Sequence, residues 1–310
     1  MSRYPFRERA NDFLDAYKDI YSKATHDERR RRLYRIAKDL ESLKAGGKIS
    51  TVNPALMTPE DVREFYSLLK GRNLSAKGIS HEISALKNIC SFFGNNAVTT
   101  ARAKYPALTR RFAHSRLNSL TRTEYNKILG NVSTPPEDYL RCRAYAAVLL
   151  SIGAGLRTKE LQFARIENLD LDEGTLYIDR VKGEGTYGEA RLIPLRIECI
   201  RLMRSYLAVL ERDTGFLVNA GFIFHSPDGN YLSTNSLRKI KELVCRETGI
   251  DFSFQTCRRT YGQYALDDGI SLESVSVCMG HRTTKTTETY YARRRGSVAV
   301  EEARKRWGAD

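Results

Sequence analysis

One interruption organises the chain. Over residues 95–118 the apolar periodicity of a helix stops, in a stretch that is basic, polar and broken by Pro106. Such a stretch buries little of itself, so it reads as a linker between units with separate cores. Before it the spacing is helical. Phe13, Tyr17 and Ile20 share a face over 8–21, and Leu33, Ile36, Ala37 and Leu40 share one over 27–44. In MTPEDVREFYSLLK, Thr58 stands at the N-cap, Pro59 at the first helical position, and Val62, Phe65, Tyr66 and Leu69 form the stripe. Residues 76–93 continue with Ile79, Ile83, Leu86, Cys90 and Phe93. The expected layout is a helical domain over 1–104, a basic linker over 105–118 and a second domain over 119–310.

The second domain opens at LTRTEYNKIL, where Thr121 and Glu124 fit a capping box. An apolar helix is expected over 139–152, ended by Gly153 and Gly155. TLYID (175–179) and RLIPL (191–195) alternate like strands, and GFIFHSPDGNYLS (221–233) reads as a further hairpin. Helices are expected over 235–247, 257–268 and 271–279, with a short last one near 297–307. The fold class is mainly α with a small antiparallel β-sheet: a helical N-terminal domain and an α+β second domain.

The 310 residues carry a net charge of +14 with a pI of about 9.5. That balance favours a polyanionic partner, nucleic acid first. No stretch of about 20 apolar residues is present, so no membrane span is expected. The N-terminus has acidic residues and no apolar core of the signal-peptide kind. Six scattered Cys form no CxxC pair and no zinc-like spacing, which suggests a reducing, cytoplasmic setting.

Candidate chemistry gathers in the second domain. Arg157 follows GAGL, whose glycines permit a tight turn, and precedes TKEL, where Thr158 is a candidate cap; the guanidinium then sits near a helix N-terminus, a place suited to an anion. Lys182 lies in the Gly-rich connection between the two strands, placed to give a proton to a leaving alkoxide. Arg258 and Arg259 are adjacent on one helix, so only one of them can point into a pocket. Gly280 suits a helix C-cap, leaving His281 to follow it. Tyr290 and Tyr291 are neighbours; a Tyr nucleophile must lose a proton of pKa about 10, and nearby positive charge lowers that value. Read singly, each has a plainer alternative as a surface cation, a structural His or a core Tyr.

Together they carry a resemblance. Gly155, Arg157, Glu160 and Leu161 (G-x-R-x-x-E-L), Lys182 with Gly183, Arg258, Gly280 with His281, and a Tyr nine positions after that His occur in one order. The chain resembles the tyrosine recombinase (phage integrase) family over essentially its whole length. The resemblance implies a helical core-binding domain that clamps DNA with the catalytic domain. It selects Tyr290 as nucleophile, with Arg157, Arg258 and His281 stabilising the phosphorane, Lys182 protonating the leaving 5′-oxygen and Glu160 orienting a neighbour. Gln255 stands where the family usually has His or Lys; it can donate a hydrogen bond but carries no charge.

The implied activity is site-specific DNA recombination through a 3′-phosphotyrosyl intermediate, for integration and excision or for dimer resolution. No metal and no cofactor are expected. The implied partner is double-stranded DNA with inverted half-sites, met in the cytoplasm at the nucleoid. A synaptic tetramer is implied, joined through residues 297–310, whose Val298 and Trp307 need a partner surface. Candidate DNA contacts are Lys77, Arg110, Arg111, Arg238, Lys239, Lys241 and Arg259. A type IB topoisomerase-like enzyme and a catalytically weakened DNA-binding protein stand as alternatives.

Overall fold

The computed structural model describes residues 5–109, 118–179, 189–214, 221–281, 284, 304 and 306–308. The chain divides into two compact units, Met1–His114 and Ser115–Asp310.

The first unit is built from α1 (Pro5–Ala16), α2 (Lys23–Ala45), α3 (Pro59–Gly71), α4 (Ala76–Phe92) and α5 (Ala97–Lys104). Its core holds Phe6, Leu14, Ile36, Leu40, Phe65, Leu86 and Ile89, all buried. The helix starts are set by side chains that accept otherwise unpaired backbone N–H groups. Ser22 accepts from Thr25, Ser75 from Gly78, and Thr58 exchanges bonds with Asp61 in a capping box, with Pro59 inside it.

Two expectations need correcting here. The first helix stops at Ala16; Tyr17 to Tyr21 form turns, Tyr17 stacks on Tyr21, and Ile20 is exposed rather than on the core face. The aperiodic stretch contains α5, which packs on α3 and α4 and buries Ala97, Val98 and Ala101. Its buried side is mostly alanine, too weak an apolar signal to show as a stripe. It ends at Tyr105, where the following Pro106 disfavours the helical conformation.

The second unit surrounds α7 (Tyr139–Gly153), which is buried on nearly every side from Cys142 onward, as a central core helix must be. Around it pack α9 (Ile197–Thr214), α10 (Thr234–Thr248) and α11 (Phe254–Asp267), with α6 (Arg122–Gly130), α8 (Thr158–Phe163) and α12 (Leu272–Met279) completing the set. Helix α9 has no counterpart among the expected elements, although Cys199, Leu202, Met203, Tyr206, Val209 and Leu210 give it a helical stripe. Helix α11 begins at Phe254, one turn before the expected start, because Ser253 and Thr256 form a capping box.

Strands β1 (Leu169–Asp170), β2 (Thr175–Ile178) and β3 (Arg191–Pro194) form an antiparallel sheet in that order. Leu176 pairs with Ile193 and Ile178 with Arg191. The pleat turns Leu176, Ile178, Ile193 and Arg191 inward, and Tyr177 and Leu192 outward. The expected hairpin over 221–233 reduces to a single bridge, His225 with Tyr231, and Phe222 bridges instead to Arg165. Most of the expected last helix lies outside the described residues. Among the described residues, no helix is long and apolar enough to cross a membrane.

Candidate active site

The site starts where α7 runs out. Gly155 holds φ +63, and a Cβ there would lie 2.5 Å from the Tyr261 ring, so only glycine passes under that ring. The turn delivers Arg157 to the N-cap position of α8. Its backbone N–H donates to Glu160 Oε2 at 2.9 Å, so Glu160 caps α8 and Thr158, the expected cap, is the first helical residue. The Arg157 side chain then donates Nη1 to Glu160 Oε1 at 2.6 Å and Nη2 to the Gly280 carbonyl at 2.6 Å.

Arg258 reaches the same point from α11. Its side chain is 8% exposed, with Nη1 donating to the Gly155 carbonyl at 2.6 Å and Nη2 to that of Met279. Nη1 lies 3.7 Å from Glu160 Oε2. The third contribution comes from the end of α12. Gly280 is its left-handed C-cap at φ +61, and the His281 N–H closes on the Ser276 carbonyl at 3.0 Å. That turn sets His281 Nε2 3.1 Å from Arg258 Nη2. A guanidinium can only donate, so Nε2 accepts and the proton of a neutral His281 sits on Nδ1.

A fifth side chain was absent from the expected set. Arg191, at the start of β3, donates Nη1 and Nη2 to the two Glu160 oxygens at 3.2 and 2.9 Å and Nε to the Cys278 carbonyl at 2.8 Å. A signal did exist: in the alternation of RLIPL, Arg191 falls on the same inward face as Ile193. A charge on that face needs a buried partner.

Electrostatically the cluster is unbalanced. Three guanidinium groups face one buried carboxylate. Burial works against ionisation of Glu160, but hydrogen bonds and charge from Arg191 and Arg157 outweigh it and hold its pKa below the ordinary carboxylate value. His281 is shifted downward as well, which in its case favours the neutral form. Burial first, then the charges of Arg258, Arg157 and Arg191, lower its pKa from 6.5 to about 4, so it is neutral at physiological pH. Arg157 and His281 are the half-exposed members of the group, so surplus positive charge opens towards solvent.

Four expected residues therefore meet: Arg157, Glu160, Arg258 and His281. Gln255 is exposed one helical turn before Arg258, and its Oε1 accepts from Arg259 Nη2 at 3.4 Å, while Arg259 Nη1 donates to the Asn118 carbonyl. Arg238 and Lys239 are exposed on α10; Arg238 is 3.5 Å from Glu242, and the half-buried Lys241 is 3.9 Å from Asp251. Lys77 is exposed in the first turn of α4. Lys182, Tyr290, Arg110 and Arg111 lie outside the described residues. Among the described residues no group of three His, Cys, Asp or Glu side chains is arranged to hold a metal.

Residues 118–296, more than half of the chain, match the phage integrase family. The chain is similar to the tyrosine recombinase XerA of Pyrococcus furiosus, 26% identical over 233 residues, 75% of this chain and 76% of that one. It is likewise similar to XerC of Oceanobacillus iheyensis, 24% identical over 245 residues, 76% of each. In fold it is similar to the Tn1549 transposon integrase solved with transposon right-end DNA: TM-score 0.70, 16% identity, covering 98% of this chain and 100% of that one. The chain belongs to the phage integrase family, the tyrosine recombinases.

Proposed function

We propose that this cluster is the phosphate-binding half of a site that breaks and rejoins DNA strands through Tyr290. The chain is a DNA strand-cleaving and rejoining enzyme acting in site-specific recombination, as its family membership and its Xer relatives indicate. The observation that carries the site reading is the charge surplus: three arginines gathered on one buried carboxylate beside a neutral histidine. A pocket that only neutralised its own charge would need one arginine. The surplus suits a phosphodiester, and more so the phosphorane that forms from it.

In this reading the phosphate meets Arg157 and His281 at the open edge, with Arg258 behind them. Tyr290 gives up its phenolic proton to a water, its oxygen bonds to phosphorus, and the bond from phosphorus to the 5′-oxygen breaks. Lys182 protonates that leaving oxygen, and a 3′-phosphotyrosine remains. A 5′-hydroxyl of the partner strand then reverses the step. The bond energy is kept in the phosphotyrosine, so the chemistry asks for neither ATP nor a metal. Gln255, exposed beside Arg258 on α11, adds a hydrogen bond without charge.

DNA is the partner, and the basic balance of the chain supports its affinity through neutralised phosphates. We place the finer contacts on Lys77, Arg110, Arg111, Arg238, Lys239, Lys241 and Arg259, and the DNA-clamping role on the helical unit. Inverted half-sites and a synaptic tetramer complete the reading. Trp307, 81% exposed, supports a C-terminal segment that docks on a second copy.

The test is trapping on fragmented host DNA in EDTA. The protein is denatured with SDS, linked fragments are recovered and their ends sequenced. Fragments that converge on one sequence and vanish in Tyr290→Phe are expected. Tight binding with no linked DNA would contradict the reading.

A further inference from the structure

Arg191 touches two segments of the proposed site, the first turn of α8 and the end of α12, yet it has no room to touch a phosphate. Its side chain is 7% exposed. Each of its three nitrogens already has an acceptor: both Glu160 oxygens and the Cys278 carbonyl. Its guanidinium also lies flat against the cap of α12. A Cβ on Gly280 would stand 2.8, 2.9 and 3.0 Å from Nη1, Cζ and Nε of Arg191. One planar group therefore holds the first turn of α8, where Glu160 engages Arg157, and the last turn of α12, which turns the chain towards His281.

The link runs further through Glu160. With Arg191 on both oxygens, the carboxylate plane is fixed, and so are the bonds that Glu160 makes to the Arg157 side chain and backbone. Arg258 Nη1 lies within 3.7 Å of the same carboxylate. Arg191 also begins β3, paired with Ile178 of β2, directly after the connection that contains Lys182. A lysine would keep the charge but not the planar fork that grips two oxygens of one carboxylate and a carbonyl to the side.

We propose that Arg191 is a positioning residue for strand cleavage: through Glu160 and the Gly280 turn it sets Arg157, Arg258 and His281 in the one geometry that fits the phosphorane. This rests on the reading of the site given above. Binding of DNA, which draws on many phosphate contacts across the protein, should be nearly indifferent to it. Cleavage should not be, because donors displaced by fractions of an ångström lose their hold on the developing charge.

The experiment uses the full chain and a duplex carrying the sequence recovered by covalent trapping. DNA affinity, the rate of covalent complex formation and the melting transition are measured for Arg191→Met, Arg191→Lys, Glu160→Gln and the double variant Glu160→Gln with Arg191→Met. Tyr290→Phe is the blank. We expect Arg191→Met and Arg191→Lys to cut the cleavage rate about 100-fold, the scale of one lost preorganised donor. Affinity should stay within about threefold, and the double variant should be no slower than the worse single one, since both changes break one linkage.

The duplex is also made with sulfur in place of the 5′-bridging oxygen. A thiolate leaves without a proton, so this substrate should rescue Lys182→Ala but not Arg191→Lys. Parallel loss of binding and cleavage, or loss of a cooperative melt in both Arg191 variants, would overturn the proposal by making Arg191 a general scaffold residue. Multiplying defects in the double variant would overturn it by separating Arg191 from Glu160. A native chain that forms no Tyr290-dependent complex would fail the site reading itself, and this proposal with it; that outcome is read from the native and Tyr290→Phe proteins alone.

Discussion

Asp39 and Asp61 in the first unit and Glu160 in the second are buried in opposite ways; Glu82 of the first unit also meets two arginines, but Arg32 and Arg35 are themselves 25% and 56% exposed. In the first unit Asp39, 7% exposed, is gripped by one arginine: Arg72 donates Nη1 and Nη2 to its two oxygens, both at 2.7 Å. Asp61 in the same unit spends its oxygens on the Ser50 and Thr58 backbone and the Ser50 hydroxyl. These arrangements close on themselves. In the second unit Glu160, 1% exposed, is shared by Arg157 and Arg191, with Arg258 beside it. A matched pair joins two helices and is finished; an over-supplied carboxylate is a scaffold for cations held ready for something else. A buried ion pair is weak evidence of function, whereas a surplus of buried cations is better evidence, because desolvating unmatched charge costs stability that a bound anion recovers.

The comparison can be broken from either side. Arg258→Ala should give the largest effect, lowering the rate of covalent complex formation about 1,000-fold, at the upper end for one lost oxyanion donor. The melting transition should remain cooperative. Glu160→Gln should strike both properties. It leaves the guanidinium groups without their counter-charge, so unfolding free energy should fall by about 3 kcal/mol and cleavage about 100-fold. Arg72→Met sharpens the contrast: unfolding free energy should fall by about 2 kcal/mol, because Asp39 loses its partner, while the cleavage rate at saturating DNA stays as it was. Chemical denaturation with a parallel single-turnover assay separates these outcomes.

Smaller effects test the neutral histidine. With His281 held near pKa 4 in the folded chain against an ordinary 6.5, the unfolded chain binds more protons between these values. The stability that neutral His281 contributes is therefore complete above pH 6.5 and is lost as pH falls towards 4. His281→Gln, which cannot titrate, should flatten that slope. Cleavage between about pH 5.5 and 8 should show no step from His281. Gln255→His should change the rate least, within about tenfold, because the exposed Gln255 sits at the rim and not in the buried network.

Much of this was legible in the amino acids. Residues with a local signature were readable: Gly155 and Gly280 mark turns that L side chains resist, and Arg157 follows one and His281 the other; Glu160 entered only through the family resemblance, and it takes the capping role expected of Thr158. The stripes of α2, α3 and α4 place their core faces by spacing alone. What escaped depends on contacts remote in sequence. Arg191 meets Cys278 across 87 positions, and nothing near Arg191 announces that carbonyl. The alanines of α5 gain their meaning only against α3 and α4, and the hairpin expected over 221–233 is shortened to the bridge of His225 with Tyr231, with Phe222 bridged to the remote Arg165.

The central claim is that the charge surplus around Glu160 serves a phosphate attacked by Tyr290. The most direct measurement is to trap the native chain on its DNA in EDTA, digest with nuclease and trypsin, and locate the nucleotide adduct by mass spectrometry. The account predicts a phosphodiester-linked nucleotide on Tyr290, absent from Arg258→Ala at short times and absent from Tyr290→Phe at all times. An adduct on Tyr291, or cleaved DNA with no protein adduct, would contradict it.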